Sequence, residues 1–203
     1  MKTIAAAAII LFAASGAQAR VAVPEDSREI TVCLDSGLVP VMARVFARAT
    51  AARMFADIGV IVHWRTGGRC PADAIRVRIV GHSVGGFSPD ALAYARPNGE
   101  YAEVFWDRIM AESPTHTEAL LAHVLVHEIM HILQGVARHS ETGVMKAHWG
   151  PADMDQLARK PLPFAPEDVN LIRAGLDERA RLAGYRLASA VPAASPAPPA
   201  SSR

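Results

Sequence analysis

The residues best placed to do chemistry lie in one short stretch. His127-Glu128-Ile129-Met130-His131 is an H-E-x-x-H motif. Side chains four apart on a helix share a face, so both imidazoles can reach one cation. Neutral imidazole suits zinc, and a catalytic zinc takes three protein ligands and keeps a fourth position for water. The ion lowers the pKa of that water to about 7 and polarises a carbonyl. Glu128 stands beside both histidines, where it can take the water's proton. The bland alternative is a solvated helix with two surface histidines and an ion-paired glutamate. The flanking residues oppose it: Leu120, Leu121, Val124, Leu125, Val126, Ile129, Ile132 and Leu133 leave almost no polar face. A helix apolar nearly all round is buried, and ionisable groups inside one are costly unless paired or metal-bound.

The third ligand must come from beyond this helix. Gly135 is a natural helix stop, and a turn there can bring His139 back over the helix to complete a three-histidine site. Glu141, His148 and Asp153 are rival ligands further downstream. His123 lies on the same face, four residues before His127. It is eight residues from His131, about 12 Å along the axis, so it is expected in the core or behind a ligand.

A buried helix needs a sheet to lie against. Glu29 to Leu34 alternates in polarity and is rich in β-formers, which predicts a strand. Val39 to Ile58 has helical spacing, with Val41, Val45, Phe46, Ala49, Met54, Phe55 and Ile58 as its apolar face and Gly59 as its stop. Val60 to Trp64 and Ile75 to Val80 follow as strands, which implies a right-handed crossover and a partly parallel sheet. A short strand at Ala91 to Ala95, a turn at Pro97-Asn98-Gly99 and a strand from Tyr101 to Trp106 predict a hairpin. Thr117 is expected to cap the helix from about Glu118 to Gln134. A short helix at Pro151 to Ala158 and an amphipathic one at Asp168 to Leu182, with Val169, Ile172, Leu176 and Leu182 inward, complete the reading. The expected class is α/β (α+β): a mixed twisted sheet, a backing helix, a buried helix carrying the motif and a C-terminal helix.

Composition narrows the rest. A chain of 203 residues, 51% hydrophobic and 20% charged, excludes wholesale disorder. With 21 basic against 20 acidic residues and no basic block, nothing favours nucleic acid. No apolar run reaches the roughly 18 residues of a membrane span. Lys2, the apolar run Ile4 to Ala14 and Ala17-Gln18-Ala19 read as a signal peptide over residues 1–19, so the expected location is periplasmic or extracellular. Residues 20–187 are expected to form one domain, and the Ala/Pro/Ser-rich residues 188–203 a flexible tail. In an oxidising compartment Cys33 and Cys70 can pair; the alternative is two separate buried thiols.

The segment from His127 to Met145, HEIMHILQGVARHSETGVM, resembles the metzincin metallopeptidases, matrixin-like forms most of all. Those proteins carry H-E-x-x-H-x-x-G-x-x-H and then a methionine in a tight turn beneath the metal. The resemblance implies that His127, His131 and His139 hold one catalytic Zn²⁺, that Glu128 is the general base, and that Gly143-Val144-Met145 is the methionine turn. Without it, Met145 reads as core filler. Gly135 and His139 stand one and two residues later than the family pattern places them. The resemblance also implies a compact zincin-like domain and a peptide or protein substrate lying extended along an edge strand, with Ala91 to Ala95 as the candidate. Tyr94 and Tyr101 are either oxyanion donors or packing residues. A non-catalytic module that holds zinc is the alternative function.

Overall fold

The computed structural model describes residues 28–83, 86–96 and 99–190. The expected signal peptide, the Pro97-Asn98 turn and the tail beyond Ala190 lie outside the described residues.

Five strands form one sheet: β1 (Arg28–Asp35), β2 (Val60–Arg65), β3 (Ile75–Val80), β4 (Ala93–Ala95) and β5 (Tyr101–Phe105). Their order is β2-β1-β3-β5-β4. The first three pairings are parallel and the last, β4 with β5, is antiparallel. The mixed sheet and the edge hairpin therefore match expectation. Among the described residues five α-helices accompany the sheet: α1 (Val41–Ala56), α2 (Trp106–Glu112), α3 (Thr117–Gln134), α4 (Pro151–Leu157) and α5 (Pro166–Ala190).

The sheet is covered on one side. Ile30, Val32 and Leu34 of β1 and Ile75, Val77 and Ile79 of β3 are buried, while alternate residues such as Asp35, Arg76 and Arg78 are exposed. This is the period-two signature of a half-buried sheet. The inner face meets α1 and α3, which also pack on each other. Fifteen residues of α3, from Leu120 to Gln134, are buried, so the apolar motif helix is the spine of the core.

The expected inner face of α1 needs correction. Met54 and Phe55 are buried, but Val41, Val45 and Phe46 are 62%, 42% and 56% exposed. The buried stripe is instead Ala43, Ala47 and Ala51. Both stripes have i, i+4 spacing, and the small one faces α3 because alanines let two helices and a sheet approach closely. The same device joins α5 to α3: a Cβ on Gly175 would sit 1.7 Å from the carbonyl oxygen of Leu133.

Three further boundaries differ from the sequence reading. Trp106 does not end β5 but begins α2, a helix whose Trp106 and Ile109 are buried. Thr117 does not cap α3; its hydroxyl donates back to the Ser113 carbonyl at 2.8 Å, and His116 occupies the cap position. The C-terminal helix starts at Pro166 and runs to Ala190, into the segment read as tail. Pro at the first helical position fits there because its missing N–H has no partner to lose. Ile172 and Leu176 are buried as expected, whereas Leu182 is 41% exposed.

Candidate metal centre

The motif helix places His127, Glu128 and His131 at the floor of a cleft of about 500 Å³. The Nε2 atoms of His127 and His131 are 3.1 Å apart. Each ring is held from behind. His127 Nδ1–H donates to the Val144 carbonyl at 2.9 Å, and His131 Nδ1–H to the Val136 carbonyl at 3.3 Å. A ring that donates through Nδ1 has, when neutral, only a lone pair on Nε2. Two lone pairs then face each other at close to the separation of about 3.3 Å that two nitrogens of a tetrahedral zinc would have. That arrangement is repulsive without a cation between the rings.

His139 completes the group. One ligand atom from each of His127, His131 and His139 lies within 4.8 Å of the others. Its ring stands 5.3 Å from that of His127 and 5.0 Å from that of His131, centroid to centroid. The donor set of three neutral imidazoles, two of them oriented by carbonyls, fits one zinc ion. The rivals are placed elsewhere. Asp153 is taken by the Lys146 ammonium at 2.5 Å and the Gly150 N–H at 2.9 Å. Glu141 is exposed. His148 lines the cleft without joining the cluster.

Of the two residues by which this segment exceeds the H-E-x-x-H-x-x-G-x-x-H pattern, one lies before Gly135 and one between Gly135 and His139. That glycine ends α3 in the left-handed region at φ 67°, which only glycine adopts at no steric cost. The chain then returns under the control of Asp168, a residue the sequence reading did not single out. Asp168 is 1% exposed and sits in the first turn of α5. It accepts hydrogen bonds from Ser140 Oγ at 2.8 Å, Arg138 Nη1 at 3.1 Å and Gln134 Nε2 at 3.3 Å. Arg138 and Ser140 flank His139, so one carboxylate holds both sides of the third imidazole.

Gly143–Met145 forms a single 3-10 turn against α3. Met145 is fully buried and its carbonyl accepts from Ser140 N–H at 2.8 Å. Gly143 has φ 76°, and a Cβ there would lie 2.3 Å from the Pro163 carbonyl oxygen, which accepts the Val144 N–H at 2.9 Å. The turn is thus wedged between the motif helix and the approach to α5.

His123 behaves as the core residue expected. Its Nδ1–H donates to the Ala119 carbonyl at 2.7 Å, and its Nε2 accepts the Leu162 N–H at 2.9 Å. The second bond, accepted at Nε2, exists only in the neutral ring.

Burial sets the ionisation of the site. It lowers His127 to about 3, with the Val144 carbonyl opposing, so this ring is in its ligand form across the working pH range. Burial also lowers His131 and His139. Burial raises Glu128 to about 8; its carboxylate lines the cleft and has no hydrogen-bond partner among the described residues. A cation on the neighbouring imidazoles would pull that value back down.

The cleft has two rims. On one, β4 is the sheet's edge strand, and Ala91 to Ala95 line the cavity; on the other stand Lys146 to Trp149. Arg108 on α2 fixes the first rim, donating to the carbonyls of Ser88 at 2.6 Å and Ala91 at 2.5 Å and to Ser83 Oγ at 2.7 Å. Tyr94 lines the cleft against Phe87, with ring centroids 5.3 Å apart. Tyr101 does not reach it; its hydroxyl donates to Glu103 on the open face of the sheet. Cys33 and Cys70 form a disulfide, Cα to Cα 6.0 Å, so neither is a ligand to the cluster.

No protein-family model matches the chain, and no curated protein sequence matches it. Solved structures do. Archaemetzincin from Methanopyrus kandleri superposes with a TM-score of 0.53 at 17% identity, covering 77% of this chain and 99% of that one. Archaemetzincin from Archaeoglobus fulgidus, complexed with malonate, gives a TM-score of 0.49 at 16% identity, covering 71% of this chain and 99% of that one. At 17% identity the likeness to the first is one of fold: the mixed α/β architecture is archaemetzincin-like.

Proposed function

We propose that this chain is an exported zinc-dependent metallopeptidase. The observation that supports it best is the opposition of two lone-pair-bearing imidazoles at 3.1 Å, with a third ring beside them and a buried, unpartnered carboxylate on the same helix. His127, His131 and His139 would hold the ion, which when bound supplies an activated water and polarises the scissile carbonyl. Glu128 holds the proton taken from that water and passes it to the leaving amine. The free edge of β4 aligns an extended peptide by backbone pairing, and the apolar wall residues Leu92, Ala93, Ala95 and Trp149 exclude water from the substrate's flanks. The disulfide accords with export into an oxidising compartment.

A module that holds zinc without catalysis is the second reading. Glu128 opposes it, because a closed structural site uses a fourth ligand and has no need of an unpaired buried carboxylate. A peptide-library cleavage assay on the zinc-loaded chain separates the two. Hydrolysis is expected, abolished by chelator and lowered by roughly a hundredfold or more in Glu128→Gln, with zinc content unchanged. Full activity in that variant would overturn the general-base role, and no cleavage by the zinc-loaded wild type would favour the holding module.

A further inference from the structure

A second cavity, of about 480 Å³, shares no lining residue with the metal cleft. It opens beside the ends of β1 and β2 and the first half of β3, between the start of α1 and the loop after β2. Arg44, Arg65, Arg76 and Arg78 line it, and among the described residues Asp35 is the only acidic one that does, so this lining carries a net charge of +3. The clustering follows from register. Cys33 of β1 pairs with Arg65 on one side and Arg76 on the other, and Asp35 pairs with Arg78, so all these side chains leave the same face of a parallel sheet.

Three of the four guanidinium groups lack a carboxylate partner among the described residues. Arg78 reaches Asp35 only at 3.7 Å. The guanidinium groups of Arg44, Arg65 and Arg76 have no partner among the described residues. Elsewhere Arg28, Arg138, Arg179 and Arg181 each meet a carboxylate. Glu103, next to this group on the open face, accepts the Tyr101 hydroxyl at 2.6 Å. In the wall itself two buried donors, Arg44 Nε and the hydroxyl of the 3% exposed Ser36, lack acceptors. Buried donors left unmet and like charges gathered in a concavity are both unfavourable, and an anion relieves both.

The wall opposite the strands is fixed. Gly67 and Gly68 adopt φ 77° and 73°, and the Cys33–Cys70 disulfide ties their loop to β1. We propose that this cavity is a binding site for a tetrahedral oxyanion, a phosphate or sulfate group carried by a small molecule. Planar guanidinium forks match such a group in geometry as well as charge, and the volume leaves room for a group of sugar size beyond it.

The test is a two-dimensional amide NMR titration of the zinc-loaded full chain at constant ionic strength, read at Gly67 and Gly68, away from any anion on the metal. The probes are inorganic phosphate, inorganic sulfate, glucose 6-phosphate and glucose. Saturable shifts are expected with the three anions and none with glucose. Tighter binding of the sugar phosphate identifies the carried group; equal binding identifies the free anion as the ligand. The double variant Arg65→Ala/Arg76→Ala should weaken binding by about tenfold or more, with zinc content and melting temperature unchanged. Absence of saturation up to about 10 mM phosphate, or equal affinity in the double variant, would overturn the assignment.

Discussion

The Nδ1–H of His127 donates to the backbone carbonyl of Val144, 2.9 Å away. Through this bond a turn far along the chain sets the direction of the first ligand's lone pair. The turn is itself pinned by Gly143, whose conformation and close approach to Pro163 leave no room for a side chain. Gly143→Ala should therefore move the Val144 carbonyl and lower zinc affinity by about 10- to 100-fold, the usual effect of losing an outer-shell partner. Competition against a chromogenic chelator measures this, and wild-type affinity in the variant would separate the turn from the metal site.

Asp168 should matter to His139 although it touches no metal ligand. Its carboxylate, 1% exposed, receives Ser140 and Arg138 on either side of that histidine. Asp168→Ala leaves the Ser140 hydroxyl and the Gln134 amide without their acceptor, while Arg138 keeps Glu167; this costs about 1–3 kcal/mol and frees the loop that carries the third ring. The expected result is a lower urea midpoint together with weaker zinc binding. Ser140→Ala should lower zinc affinity less, because Arg138 still holds Asp168.

His123 gives a pH dependence of known sign. Burial lowers its pKa, and Leu162 N–H points at the nitrogen that would take the proton. The unfolded chain then binds more protons than the folded one below the ordinary histidine pKa of about 6.5. This contribution is present above that pH and is lost as pH falls through the window down to the lowered folded value. With zinc removed, the urea midpoint should fall more between pH 7 and pH 5 in the wild type than in His123→Asn. Equal slopes would contradict the neutral-ring assignment.

The parts of this molecule that were legible in the sequence are those fixed by local pattern. The apolar run around His127 announced a buried helix, Gly135 its end, and the alternation in β1 and β3 a half-buried sheet. His139 was legible as the third member of the histidine cluster because it has the right chemistry near the helix break, although its spacing departs from the metzincin pattern that the segment resembles. What escaped depends on tertiary packing. Either stripe of α1 satisfies helical periodicity, and only the close approach of α3 selects Ala43, Ala47 and Ala51 over Val41, Val45 and Phe46. Asp168 is one acidic residue among 20, and its role exists only once α5 is folded against the loop after α3. The disulfide is not legible in the sequence, because a separation of 37 residues says nothing of Cα distance.

The central claim is that three imidazoles share one divalent ion. Zinc K-edge X-ray absorption on the zinc-loaded chain tests it most directly. One ion per chain, scattered by three histidine rings at about 2.0 Å and one further light atom, is the predicted result, with His139→Ala reducing the ring count to two. A first shell holding two rings or fewer in the wild type, or a spectrum unaltered by His139→Ala, would contradict it.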